Sequence, residues 1–218
     1  SEVYVKIETV HAIVYQYEEF IVIIAESAAL AKDRVREVAN ELEENKRLQA
    51  YFGDDPKGDV WRPRAGDIET YNAVRILAKS MGGQVRGIKH PSTGARPTKF
   101  LLDDAEDSVD VLNPELRARD RRIFTEDIEG AAGIEGRTNL QITGTPLHRE
   151  ALLHQLKFNP GWDFKIFPAI EQWPDRMDLW ERCRKVFAAG GYSEEDEGDR
   201  VVAADTAQTL AYRYYLAN

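Results

Sequence analysis

FIVIIA, Phe20 to Ala25, is a continuous apolar run rich in β-branched residues. A strand apolar on both faces belongs inside a sheet that is covered on both sides, the situation of a parallel sheet flanked by helices. Its surroundings agree. Upstream, Val3, Ile7, Val10, Val14 and Tyr17 recur at three- and four-residue steps and predict one stripe of a helix. Downstream, Ser27 is placed to cap a helix in which Leu30, Val35, Val38 and Leu42 keep helical spacing up to a polar stop near Asn45. Helix, central strand, helix opens an α/β domain.

Between Gly53 and Gly87, residues that favour turns separate short strand-like runs, Val60-Trp61-Arg62 and Val74 to Ala78, which predict a pair or trio of antiparallel strands. Thr98 to Leu102 is another apolar run. Asn113-Pro114 supplies a cap and a first-turn proline for a helix reaching roughly Ile128. A strand over Leu140 to Thr143, a turn at Gly144-Thr145-Pro146, a helix over His148 to Leu156 and a strand over Asp163 to Phe167 complete the pattern. After Trp173-Pro174 two helices are expected, Leu179 to Phe187 and Val201 to about Leu216, on either side of an acidic, solvated loop from Gly190 to Gly198. The expected organisation is a core over residues 1–172 and a small helical subdomain over residues 173–218.

Composition narrows the function. The chain has 218 residues, enough for one sizeable α/β domain with an appendage. With 38 acidic against 29 basic side chains the formal charge is −9, so any contact with nucleic acid must rest on a local basic patch. Cys183 stands alone, which excludes an internal disulfide framework or a cysteine-cluster metal site and suits a reducing compartment. No apolar run approaches the roughly 20 residues of a membrane span. The chain opens directly in a patterned segment, without a leader or an initiator Met, and is expected to be a piece of a longer protein.

The densest chemical signal is KFLLDDAED, Lys99 to Asp107, where an apolar strand delivers Asp103, Asp104, Glu106 and Asp107 at its carboxyl end. Ligands bind at that end in open parallel sheets. Carboxylates there suit Mg²⁺ on a nucleotide's phosphates, with a neighbouring one to orient or deprotonate water. An ordinary acidic turn reads the same way in isolation. Leu140 to Pro146 (LQITGTP) adds a second strand end, running into hydroxyl residues and a glycine turn about forty residues on. Those hydroxyls suit contact with a γ-phosphate or its water, and equally a simple helix cap.

Four stretches together resemble the ATPase region of a tailed-phage terminase large subunit: FIVIIAES (Phe20 to Ser27) with the helix ending ELEENKRL, GGQVRG (Gly82 to Gly87), RPTKFLLDDAED (Arg96 to Asp107) and ITGTPLHREALLHQL (Ile142 to Leu156). WDFKIFPAI (Trp162 to Ile170) follows in the matching order. The resemblance implies a P-loop NTPase-like α/β fold of the helicase and terminase type, with a mostly parallel sheet, antiparallel additions and a small helical subdomain. It implies ATP and Mg²⁺ as cofactors and hydrolysis coupled to translocation of double-stranded DNA into a procapsid. The partners it implies are DNA, a portal protein, a small terminase subunit and further copies of the chain in a ring, in the cytoplasm of an infected bacterial host and transiently on the procapsid. No membrane is among the partners it implies.

By the same resemblance Asp103 would be the Walker B carboxylate that supports Mg²⁺, and Asp104 the carboxylate that activates water. Family members frequently have Glu at the latter place, so Glu106 is a rival base. Thr143, Gly144 and Thr145 match the coupling motif that senses the nucleotide. Arg86 matches an arginine offered to a neighbouring subunit's γ-phosphate, with Arg96 the alternative. The chain departs from the family at the P-loop, G-x-x-x-x-G-K-[ST], which these residues do not contain. Ser1 would stand at its Mg²⁺-binding hydroxyl, and the isolated chain is expected to be inactive for want of the P-loop lysine. A non-catalytic assembly or DNA-clamping module of the same descent, or a helicase-like ATPase, are the alternatives.

Other residues read more plainly. His148 and His154 sit six apart, on different faces of a helix. His90 reads as a surface or DNA-facing side chain, Trp61, Trp162, Trp173 and Trp180 as packing residues, and Tyr212, Tyr214 and Tyr215 as docking the last helix. Lys32, Arg34 and Arg36 form one possible basic stripe, and Arg117, Arg119, Arg121 and Arg122 another, though a solvated helix face fits both.

Overall fold

The computed structural model describes residues 2–52, 66–70, 72–132, 138–168, 172–173 and 175–188. The chain divides into two compact units, Ser1–Phe164 and Lys165–Asn218. The first unit is α/β. Its elements are α1 (Glu2–Val14), β1 (Phe20–Ala25), α2 (Ala28–Glu44), α3 (Lys46–Phe52), β2 (Asp67–Glu69), β3 (Arg75–Ser80), β4 (Lys99–Asp103), α4 (Pro114–Arg122), α5 (Glu129–Ala131), β5 (Asn139–Thr143) and α6 (Leu152–Leu156). The five strands form one sheet in the order β2-β3-β1-β4-β5, in which β3, β1, β4 and β5 run parallel and β2 is antiparallel to β3.

FIVIIA takes the middle of this sheet, with all six residues buried. Alternation explains why both faces are apolar. Ile21 and Ile23 join Ile76 and Leu101 against Val5, Ile13, Val35 and Val38 of α1 and α2. Phe20, Val22 and Ile24 join Phe100 and Leu102 against Phe124, Ile128, Leu152 and Leu156 on the other face. Each such side chain, fully buried, contributes about 1.5–3 kcal/mol.

The caps behave as read from the sequence. Ser27 Oγ accepts from the Leu30 N–H at 3.3 Å, α2 stops at Asn45, and Asn113 Oδ1 accepts from the Glu115 N–H at 2.9 Å ahead of Pro114. The helix begun at Pro114 continues through a π-helical stretch, Ile123–Ile128, into α5.

Several expectations are corrected. In α1 the buried residues are Val5, Thr9, Val10, Ala12 and Ile13, whereas Val3, Ile7 and Tyr17 are exposed. The segment Val74 to Ala78 does pair antiparallel with β2, but as β3 it also pairs parallel with β1. The helix expected from His148 forms only over Leu152–Leu156, because Ala151 is extended and His148 Nδ1 instead accepts from the Glu150 N–H. Asp163 to Phe167 forms no strand: no described strand extends the sheet beyond β5, and Ile166 and Phe167 are exposed. His90 is buried, not surface-facing; Nε2 meets Ala73 O at 2.9 Å while Nδ1 accepts from the Ser92 N–H, so the ring organises its own loop. Trp162 does pack, on Phe124, but Trp173 and Trp180 are exposed.

The described part of the second unit contains α6's successor, α7 (Met177–Ala188). Val60-Trp61-Arg62, the loop from Gly190 to Gly198, the helix expected from Val201 and its three tyrosines lie outside the described residues. Among the described residues no helix is long and apolar enough to cross a membrane.

Candidate functional site

Parallel pairing sets four strand ends side by side, with Ala25 opposite both Ser80 and Asp103, and Asp103 opposite Thr143. In open α/β sheets the carboxyl ends of the strands are where ligands bind. Asp103 is the last residue of β4 and only 3% exposed. Arg34 of α2 reaches it, Nε donating to Oδ2 at 2.7 Å, and the same guanidinium pairs with Glu37 at 3.1 Å. Asp103 Oδ1 is buried and accepts no hydrogen bond. An unsatisfied buried acceptor costs about 1–3 kcal/mol.

Asp104 leaves the strand at φ +42, in the left-handed region that a non-glycine residue enters at a cost of about 1–3 kcal/mol. The neighbouring strand end holds it there. Its N–H donates to Thr143 O at 3.0 Å, and its Oδ1 accepts from the Thr145 N–H at 3.1 Å. Gly144 is needed for this approach, since a Cβ there would stand 2.9 Å from Asp104 Oδ1 and 3.2 Å from Leu153 Cδ1. Asp103, Asp104, Thr143, Gly144 and Thr145 therefore form one constellation across the ends of β4 and β5.

The other two acids of KFLLDDAED have different surroundings. Glu106 Oε1 accepts from the Leu152 N–H at 2.9 Å and so holds the start of α6. Burial pushes its carboxyl above the usual range, while the Leu152 and Leu153 amides act in the opposite sense. Asp107 Oδ1 accepts from the Asp110 and Val109 N–H groups, at 2.8 and 2.7 Å, and these bonds hold its carboxyl below the usual range.

Arg86 and Arg96 are not brought to Asp103 within the chain. Both line a cavity of about 360 Å³ with Lys89, Glu126 and Gly130, beside the chain entering β4. Arg86 Nε pairs with Asp127 at 2.8 Å and donates to Glu126 O at 3.1 Å, on the π-helical stretch. Of the arginine-rich α4, Arg117 pairs with Glu150 and Arg119 with Asp110 and Asp120. Ser1 lies outside the described residues.

The residue this constellation adds is Arg34. Sequence reading placed it only in a possible basic stripe, because its partner lies 69 positions away. The Arg34–Glu37 pair, spaced i,i+3, was the one local sign that the guanidinium faces carboxylates and not open solvent.

Mg²⁺ fits Asp103 on the orphaned oxygen: a buried carboxylate with one free acceptor suits an ion that keeps most of its waters and takes one or two protein carboxylates. Among the described residues no three His, Cys, Asp or Glu side chains converge as a ready-made metal cage. The fold and the edge together define a class, an open α/β domain with two consecutive aspartates where β4 ends. No protein-family model matches the chain, and no curated protein matches it.

Proposed function

We propose that the chain is the ATPase region of a viral DNA-packaging motor of the terminase large-subunit kind, with Mg²⁺-ATP held at the carboxyl edge of a P-loop NTPase-like sheet. The observation that carries the reading is Asp104, held at φ +42 with its carboxylate bound to the Thr145 N–H, one residue after a buried aspartate with a free oxygen. A strained residue at a strand end that adjacent groups over-determine is characteristic of reacting sites.

In this reading Asp103 supports the ion, which when bound neutralises phosphate charge. Asp104 accepts a proton from the attacking water, being the more exposed of the two. Thr143 to Thr145 touch Asp104 directly, so a γ-phosphate that moved this turn would be felt at the base, and the base would be felt by the turn. Arg86 or Arg96 acts on the site of a neighbouring copy in a homo-oligomeric ring. Double-stranded DNA, a portal protein and a small terminase subunit are the remaining partners, in the host cytoplasm and on the procapsid. The reading needs a phosphate-holding loop with a lysine, a motif these 218 residues do not contain. Among the described strands the outer edges of β2 and β5 are both unpaired, and a strand carrying it would add at one of them.

The test is Asp104→Asn in a version of the protein carrying a P-loop. ATP turnover is expected to fall by about 10²-fold or more, with nucleotide binding retained. Unchanged turnover sinks the assignment. A non-catalytic module of the same descent is the second reading, favoured by the Arg34–Asp103 ion pair, which gives Asp103 a structural occupation. That reading expects no turnover in either version.

A further inference from the structure

Arg34 and Asp103 are both largely withdrawn from water, their side chains 16% and 2% exposed. A buried aspartate needs a counter-cation, and Arg34 provides one through Oδ2 alone. The consequence lies on the other oxygen. Oδ1 is an acceptor without a donor, and any cation seated there stands about one carboxylate's width from a fixed positive charge. In a partly desolvated site two such charges repel strongly. Glu37 takes part of the guanidinium's charge, at 3.1 and 3.4 Å, but lies on the far side of Arg34 in this chain of pairs.

We propose that Arg34 is a positioning residue that sets which form of divalent cation Asp103 accepts. It fixes the carboxylate with Oδ1 free and penalises a bare dication there, so that the ion is taken up as a complex with polyphosphate, whose negative charge removes the penalty. This rests on the reading of Asp103 as a cation-supporting carboxylate. It assigns the selectivity for the cation–phosphate complex to a residue on α2.

The experiment titrates Mn²⁺ alone into the full 218-residue chain at low ionic strength, followed by electron paramagnetic resonance, for wild type, Arg34→Gln, Arg34→Lys and Asp103→Asn. Arg34→Gln is expected to bind Mn²⁺ at least about tenfold more tightly than wild type, Arg34→Lys to stay near wild type because the charge remains, and Asp103→Asn combined with Arg34→Gln to lose the gain. Adding inorganic tripolyphosphate is expected to narrow the difference between wild type and Arg34→Gln. Equal or weaker binding by Arg34→Gln, or a gain that survives Asp103→Asn, overturns the inference about Arg34. If Asp103→Asn changes Mn²⁺ binding in no background, the reading of Asp103 fails, and the inference with it. Should Arg34→Gln not fold, Glu37→Gln decides: it leaves the guanidinium charge less compensated and must weaken Mn²⁺ binding, and unchanged or tighter binding overturns the proposal.

Discussion

The two ends of β4 carry buried charge in opposite ways. At the amino end Lys99, 1% exposed, is ion-paired with Glu8 of α1, and the carboxylate of Glu18 lies close enough to feel its charge. The Thr98 hydroxyl ties the same end to β1, accepting from the Phe20 N–H at 3.2 Å. Among the described residues only Asp103 Oδ1 and Gln141 Oε1 are buried polar side-chain atoms without a partner, so this end closes on itself. At the carboxyl end Asp103 keeps one oxygen unmatched and Asp104 holds a strained backbone. The Lys99–Glu8 pair matches charge at the amino end. Charge left half-matched beside a strained residue costs stability there.

Lys99→Met breaks the closed end. It removes the ammonium, keeps most of the volume, and leaves Glu8 without its partner; a loss of about 3 kcal/mol is expected, read by urea unfolding. Combining it with Glu8→Gln should recover a good part of that loss, because the two changes touch one interaction. Additive losses would show that the pair is not what matches the charge.

Gly144→Ala tests the open end with a smaller effect. The new methyl meets Asp104 Oδ1 at 2.9 Å and Leu153 Cδ1 at 3.2 Å, so the Asp104 carboxylate must shift to clear it, which strains its bond with the Thr145 N–H. About 1–2 kcal/mol of destabilisation is expected, with a shift of the Thr145 amide resonance. A neutral substitution with an unmoved Thr145 amide would show that the turn does not hold Asp104.

How much of this was legible in the sequence depends on the range of the interaction. FIVIIA announced the centre of the sheet because both alternating sets of its side chains are apolar, as a short strand covered on both faces requires. The ends of β4 and β5 were legible as acid and hydroxyl clusters, since strand and turn chemistry are local. The buried face of α1 was not: EVYVKIETVHAIV is apolar at enough positions to draw two stripes, and packing on the sheet chose Val5, Thr9, Ala12 and Ile13 over Val3 and Ile7. His90, bound to Ala73 O, and Arg34, bound to Asp103, owe their places to partners 17 and 69 residues away. Glu106 looked like a second acid of the site, and only the fold sets it on the Leu152 N–H.

The smallest effect returns to the closed end and turns on pH. Burial raises the Glu18 carboxyl above its ordinary value; the Thr98 hydroxyl and Lys99 act against this and Glu8 adds to it. The folded protein thus holds the Glu18 proton more tightly than the unfolded chain does. Its contribution is fully present below the unfolded value and is lost as pH rises through the folded one. Glu18→Gln, which cannot ionise, should therefore raise the melting temperature at pH 7 and change it little at about pH 3, well below the ordinary glutamate value, where wild-type Glu18 is protonated in both states. The difference between the two proteins, measured across that interval, isolates this group from the carboxylates whose shifts run the other way, such as Glu41 and Asp107. A variant less stable than wild type at pH 7 would mean that the charged Glu18 is a needed partner of Lys99, and that three groups, not two, close the amino end of β4.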